Sequence, residues 1–133
     1  MEIENRPFLQ AALLCEEVTT DEKGRHNIVH EFSQYTMGYS EPFTIFTIWR
    51  GDKDTADRQY KEKTEIVAPD GRVVAAGEIG PFSIEDNTYR QVNSTLLENI
   101  DFTQEGEYEL KIVLTDSEST TPISTSSYPV TVV

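Results

Sequence analysis

From Gly106 to Leu114 the chain alternates, with Tyr108, Leu110, Ile112 and Leu114 on one side and Glu107, Glu109, Lys111 and Val113 on the other. A period of two is that of a half-buried strand. The same reading carried along the chain predicts a succession of strands. Phe8 to Val18 comes first; its run Leu9, Ala11, Leu13, Cys15 suits a strand or a short helix, and strand is preferred because a polar turn and another strand follow. The turn, Thr19 to Arg25, has Gly24 free to take positive φ. Asn27 to Tyr35 reads as a second strand with neither side cleanly apolar.

Phe43 to Arg50, FTIFTIWR, is β-branched and aromatic with almost no polar face, which predicts a central strand covered on both sides. Gly51 to Asp57 is a charged loop. Gln59 to Ala68 shows charge on both faces and reads as protruding or lying at an edge. Pro69-Asp70-Gly71 is a turn signal that should join it to Val73–Ile79 as a hairpin. Gly80-Pro81 should break that return strand, and Phe82 to Asn87 continues irregularly. From Tyr89 to Ile100, Val92, Ser94 and Leu96 face one way and Asn93, Thr95 and Leu97 the other, with Leu96 to Ile100 open to a single helical turn instead. After a Ser/Thr-rich turn, Ile123 to Val133 closes the chain; Pro129 within it demands an edge or a bulge.

About eight evenly spaced strands and no long helix predict an all-β, antiparallel immunoglobulin-like sandwich with Greek-key-like connections. A closed barrel is the alternative. Gln104-x-Gly106-x-Tyr108 resembles the tyrosine corner of such sandwiches, where a Tyr entering a strand bonds back to the preceding turn. At 133 residues, one domain spanning 1–133 is expected.

Charge narrows the partners. With 24 acidic and 11 basic residues the formal net charge is −13, dispersed rather than gathered in a tail. A phosphate backbone needs a basic stripe, and Arg58 to Lys63 holds three cations diluted by Glu62, so no nucleic acid is expected; an anionic membrane is disfavoured on the same ground. The single Cys15 cannot form an intrachain disulfide. Glu2 and Glu4 stand where a signal peptide would be positive, and no segment approaches the roughly 20 apolar residues that span a bilayer, which predicts a soluble, cytoplasmic protein.

Candidate chemistry is sparse. Asp52, Asp54 and Asp57 place three carboxylates in one loop, the way calcium is gathered, yet the EF-hand pattern fails at Ala56, Asp57 and Lys63. This loop is the metal candidate, and no other cofactor is expected. His26 and His30 lie four apart, which on a strand separates them by roughly 13 Å, so a zinc pair is not expected. Cys15 with a His would make a thiol nucleophile, although an apolar run usually holds an inert core Cys. No catalytic motif is present, so the chain is not expected to be an enzyme. Asn93-Ser94-Thr95 matches a glycosylation sequon, silent without a secretory signal. Trp49, Tyr60, Tyr89 and Tyr108 would stack sugars if exposed; the preferred reading buries Trp49 in the core.

Taken together, LLCEEV, DEKGRHNIVHEF, FTIFTIWRGD, APDG and EGEYELKIVL resemble a family of short bacterial proteins of unknown function with an immunoglobulin-like sandwich. The resemblance implies a fold and offers no catalytic residue. The missing disulfide, and Gln104 where an acidic residue is usual, set the chain apart from antibody-type domains. The functional expectation is a non-enzymatic binding or structural module that meets a protein partner through loops or a sheet edge, with homo-oligomerisation through an edge strand also open. A carbohydrate- or calcium-binding sandwich is the alternative.

Overall fold

The computed structural model describes residues 6–32, 34–85 and 87–133. Glu2 and Glu4, Ser33 of the second expected strand and Asp86 of the irregular stretch lie outside the described residues. Nine strands make up two sheets: β1 (Phe8–Thr20), β2 (His26–Glu31), β3 (Gln34–Tyr35), β4 (Phe43–Arg50), β5 (Tyr60–Val67), β6 (Val73–Phe82), β7 (Arg90–Leu97), β8 (Gly106–Asp116) and β9 (Pro122–Val132). The four-stranded sheet runs β2-β1-β4-β7 and the five-stranded sheet β3-β9-β8-β5-β6. The two sheets stay separate, which answers the barrel alternative with a sandwich. No described residue is helical, so Leu96 and Leu97 finish β7 rather than starting a helical turn.

Inward side chains follow the alternation. Phe43, Ile45 and Trp49 of β4, Tyr60 and Ile66 of β5, Leu97 of β7, Tyr108 to Leu114 of β8 and Val130 and Val132 of β9 share one core with Ile84, Ile100 and Phe102. The tyrosine corner is present: Tyr108 Oη donates to the Gln104 carbonyl at 2.8 Å and accepts from the Gln104 amide at 3.2 Å. The PDG turn closes the β5–β6 hairpin, with Ala68 N to Arg72 O at 2.7 Å and Gly71 at φ 92°.

Four expectations need correction. The second predicted strand is two: β2 pairs with β1 in one sheet, while Gln34 and Tyr35 cross over and pair with Thr131 and Val132 of β9 in the other. That short ladder is parallel, so the sandwich is not wholly antiparallel. Next, β5 is no edge; it sits between β8 and β6. Its charges divide by parity, Lys61, Lys63 and Glu65 turning outward while Glu62 goes in with Tyr60, Thr64 and Ile66. Finally, Gly80-Pro81 does not end β6, which continues to Phe82 through a register shift opposite Tyr60 and Glu62. An edge strand tolerates this, since proline's missing N–H points away from the ladder. Pro129 meets the same rule, lying on the part of β9 that β3 leaves uncovered.

Candidate functional site

The sequence candidates do not converge. In the Gly51–Asp57 loop, Asp52 Oδ1 accepts the amides of Asp54 at 2.9 Å and Thr55 at 3.2 Å, while Thr55 Oγ1 accepts the Asp52 amide at 2.9 Å. Asp52 thus shapes a turn, as an Asx side chain does when its oxygen substitutes for a backbone acceptor. Asp57 lines a separate shallow surface with Arg58, Asp116 and Glu118. Among the described residues, no group of three or more His, Cys, Asp or Glu is placed to hold a metal ion.

His30 Nδ1 meets Glu16 Oε2 on the surface, and His26 Nδ1 lies 3.2 Å from Thr20 Oγ1. Each histidine is occupied within its own hairpin. Cys15 is buried and free, and burial pushes its thiol up, with a hydrogen bond at the Glu17 backbone pulling part of that back and Glu31 adding to it. Such a thiol is a poor nucleophile at neutral pH. Trp49, Tyr60 and Tyr108 are core residues, leaving Tyr89 alone of the four aromatics at the surface. Asn93 of the sequon points inward and is buried, where no glycan fits.

Sequence reading passed over the most unusual interior group. Glu62 is 1% exposed, and its Oε1 accepts Thr47 Oγ1 at 2.5 Å and Trp49 Nε1 at 2.6 Å, tying β5 to β4 across the core. Glu62 Oε2, Asn93 Nδ2 and Thr95 Oγ1 are buried without hydrogen-bond partners, and the Asn93 amide faces the carboxyl without closing a bond of normal geometry. Burial pushes the Glu62 carboxyl up; Thr47, Trp49 and Asn93 offset part of the rise. The alternation Tyr60, Glu62, Thr64, Ile66 carries the signal that would have found it, since Tyr60 and Ile66 fix that side as inward. Its chemistry is structural, because it is buried between the two sheets.

The surface gives a clearer contrast. On the outer face of the four-stranded sheet the register sets Phe8, Ala11 and Leu13 of β1 beside Arg50, Ile48, Phe46 and Thr44 of β4, and these beside Arg90, Val92, Ser94 and Leu96 of β7. None of these eleven is acidic, and Phe8 and Leu96 are each 57% exposed; the acid-free stretch ends toward β2, where the row from Thr44 continues through Cys15 to Glu31. The outer face of the five-stranded sheet carries Lys61, Lys63, Glu65, Glu78, Glu107, Glu109 and Lys111. Phe46, outward yet 4% exposed, owes its burial to the β1–β2 hairpin, which arches back so that the His26 ring lies 5.6 Å from it. That cover explains why β4 is apolar on both faces.

Two packed sheets with a tyrosine corner and a strand that passes between sheets define an immunoglobulin-like β-sandwich. Residues 10–124 match the family of unknown function DUF6941, and the chain belongs to that family. Solved structures are similar to the chain. A β-glucuronidase of glycoside hydrolase family 2 is similar over 72% of this chain at 19% identity and a TM-score of 0.51. The chain spans only 10% of that enzyme's length. The CARDB domain of the PF1109 protein from Pyrococcus furiosus, solved with di-metal ions, is 14% identical, with 92% and 88% of the two chains covered and a TM-score of 0.43. An immunoglobulin-like protein from Pseudomonas aeruginosa is 12% identical over 96% of each chain at a TM-score of 0.41. No curated protein matches the chain in sequence. Among the described residues, no helix is long and apolar enough to cross a membrane.

Proposed function

We propose that this protein is a non-enzymatic interaction module that meets a protein partner on the outer face of its four-stranded sheet. The observation that carries the reading is the partition of charge: away from the β2 edge, eleven neighbouring outward positions of β1, β4 and β7 hold no acid, in a chain with 24 acidic residues. Apolar side chains left on a sheet face that other strands could have covered with charge mark an association surface. Arg50 and Arg90 at one end suit a partner that is apolar with an acidic margin. The net charge of −13 makes nucleic acid or an anionic lipid surface an unsuitable partner. A cytoplasmic setting accords with one unpaired, buried cysteine, and the reading needs no metal.

The test uses the purified domain as bait, with Leu96→Asp on the proposed face and Lys63→Glu on the opposite one. A partner that is held by the parent and by Lys63→Glu but lost, at least about tenfold, with Leu96→Asp supports this face, since a tenfold loss is about 1.4 kcal/mol and an unpaired charge in a desolvated contact costs at least that much. Retention by Leu96→Asp, or loss only with Lys63→Glu, overturns it.

A further inference from the structure

We propose that the cleft between the β1–β2 hairpin and the outer face of β4 binds organic carboxylates that carry an apolar body. This goes beyond the interaction-module reading and does not require it, because a free acid would fill the cleft as well as the end of a peptide. The cleft holds about 360 Å³ and is lined by Gly24, Arg25, His26, Ile28, Phe46, Ile48 and Arg90. That lies toward the small end of ligand pockets, about 300–1,000 Å³.

The lining separates into two chemistries. Ile28, Phe46 and Ile48 form an apolar floor and wall, with the His26 ring packed against Phe46. Arg25 and Arg90 bring guanidinium groups to the margin, and among the described residues no carboxylate lines the cleft. A guanidinium presents up to five N–H donors in a fixed fork, the geometry that receives a carboxylate through two parallel hydrogen bonds.

The hairpin holds this arrangement in place. Asp21 Oδ1 accepts the amides of Lys23 and Arg25, each at 2.9 Å, and Asp21 Oδ2 pairs with Arg25 Nε at 2.7 Å. Asp21 therefore orients Arg25 through Nε and leaves the two terminal nitrogens of that fork on a side chain that is 72% accessible. His26 is aligned by Thr20 Oγ1. The chain's negative charge does not forbid an anion here, because exposed charges farther than about 8 Å are largely screened at physiological ionic strength. Local guanidinium donors then decide.

The experiment is a ¹H–¹⁵N NMR titration with 3-phenylpropionate, its neutral amide as control, and Arg25→Gln, an exposed substitution whose otherwise unchanged spectrum reports an intact fold. Saturable shifts are expected at Gly24 to Ile28, Phe46 to Ile48 and Arg90, with a Kd of about 1 mM or tighter, and weakening of at least about tenfold with the amide and with Arg25→Gln. No saturation by roughly 20 mM, equal binding of the amide, or equal binding to Arg25→Gln overturns the proposal. A third arm separates the sources: a Gly-Gly-Phe peptide with a free C-terminus that binds more tightly than 3-phenylpropionate assigns a peptide end, and one that binds no better assigns a free acid. Saturable shifts here together with a partner retained by Leu96→Asp would defeat the interaction-module reading alone.

Discussion

Glu62 holds a carboxyl in the interior where two hydroxyl or indole donors meet one of its oxygens and no cation acts on it. Burial raises its pKa above the ordinary 4.5, so the folded chain binds this proton more tightly than the unfolded one. The stability tied to the proton is complete below about pH 4.5 and is lost as pH rises through the raised value. Glu62→Gln removes the titration while keeping an acceptor for Trp49 and Thr47. Urea denaturation followed upward from about pH 4.5 should therefore show the variant losing less stability than the parent as pH rises; parallel profiles over that whole range would contradict a proton held at Glu62. Cys15 lends itself to a second check. A thiol that is fully buried and shifted upward should react with a disulfide reagent only when the fold opens, so labelling should be slower than that of a free thiol by roughly a thousandfold or more for a stability of about 5 kcal/mol. The burial of Cys15 was legible, because Leu13 and Leu14 precede it directly. Glu62 was not, because counting charges on both sides of β5 concealed that Tyr60 and Ile66 share its parity.

At the level of elements, strand order and turns followed from local chemistry, while partners did not. The β5–β6 hairpin was legible in Pro69-Asp70-Gly71, and the register of β7 in the alternation from Val92 to Leu97. The division of Asn27–Tyr35 between two sheets had no local signature, since a strand that changes sheets keeps its propensities and changes only its neighbours. Gly77 marks where β6 approaches β7 across the layers. A Cβ there would stand 2.5 Å from Thr95 Cγ2 and 3.2 Å from Leu97 Cδ2, so Gly77→Ala should destabilise by about 1–3 kcal/mol through overpacking, read as a lower urea midpoint. Tyr108→Phe keeps the ring and deletes the bond to Gln104, which should cost about 0.5–1.5 kcal/mol in the same assay without altering the far-ultraviolet spectrum.

For the whole molecule, composition announced an acidic protein but not where acid is missing; that needed the register of three strands. The cleft of Arg25, His26 and Arg90 likewise unites positions up to 65 apart in sequence (90 − 25), which no local pattern connects. The edges of the five-stranded sheet carry their own protection: β3 has two residues, β6 contains Pro81, and β9 contains Pro122 and Pro129. Pro129→Val should add an amide to that edge and raise self-association, detected by sedimentation velocity as a concentration-dependent dimer absent from the parent. The ladders also set a long axis. Phe8 lies opposite Arg50 at the pole where β5 starts, and Val132 lies opposite Gly106 at the other. A load applied between those two residues would act along the strands, pulling β1 past β4 and β9 past β8, so many hydrogen bonds perpendicular to the force would have to yield together rather than one after another. Held in a line of tethered domains, this one would behave as a stiff link.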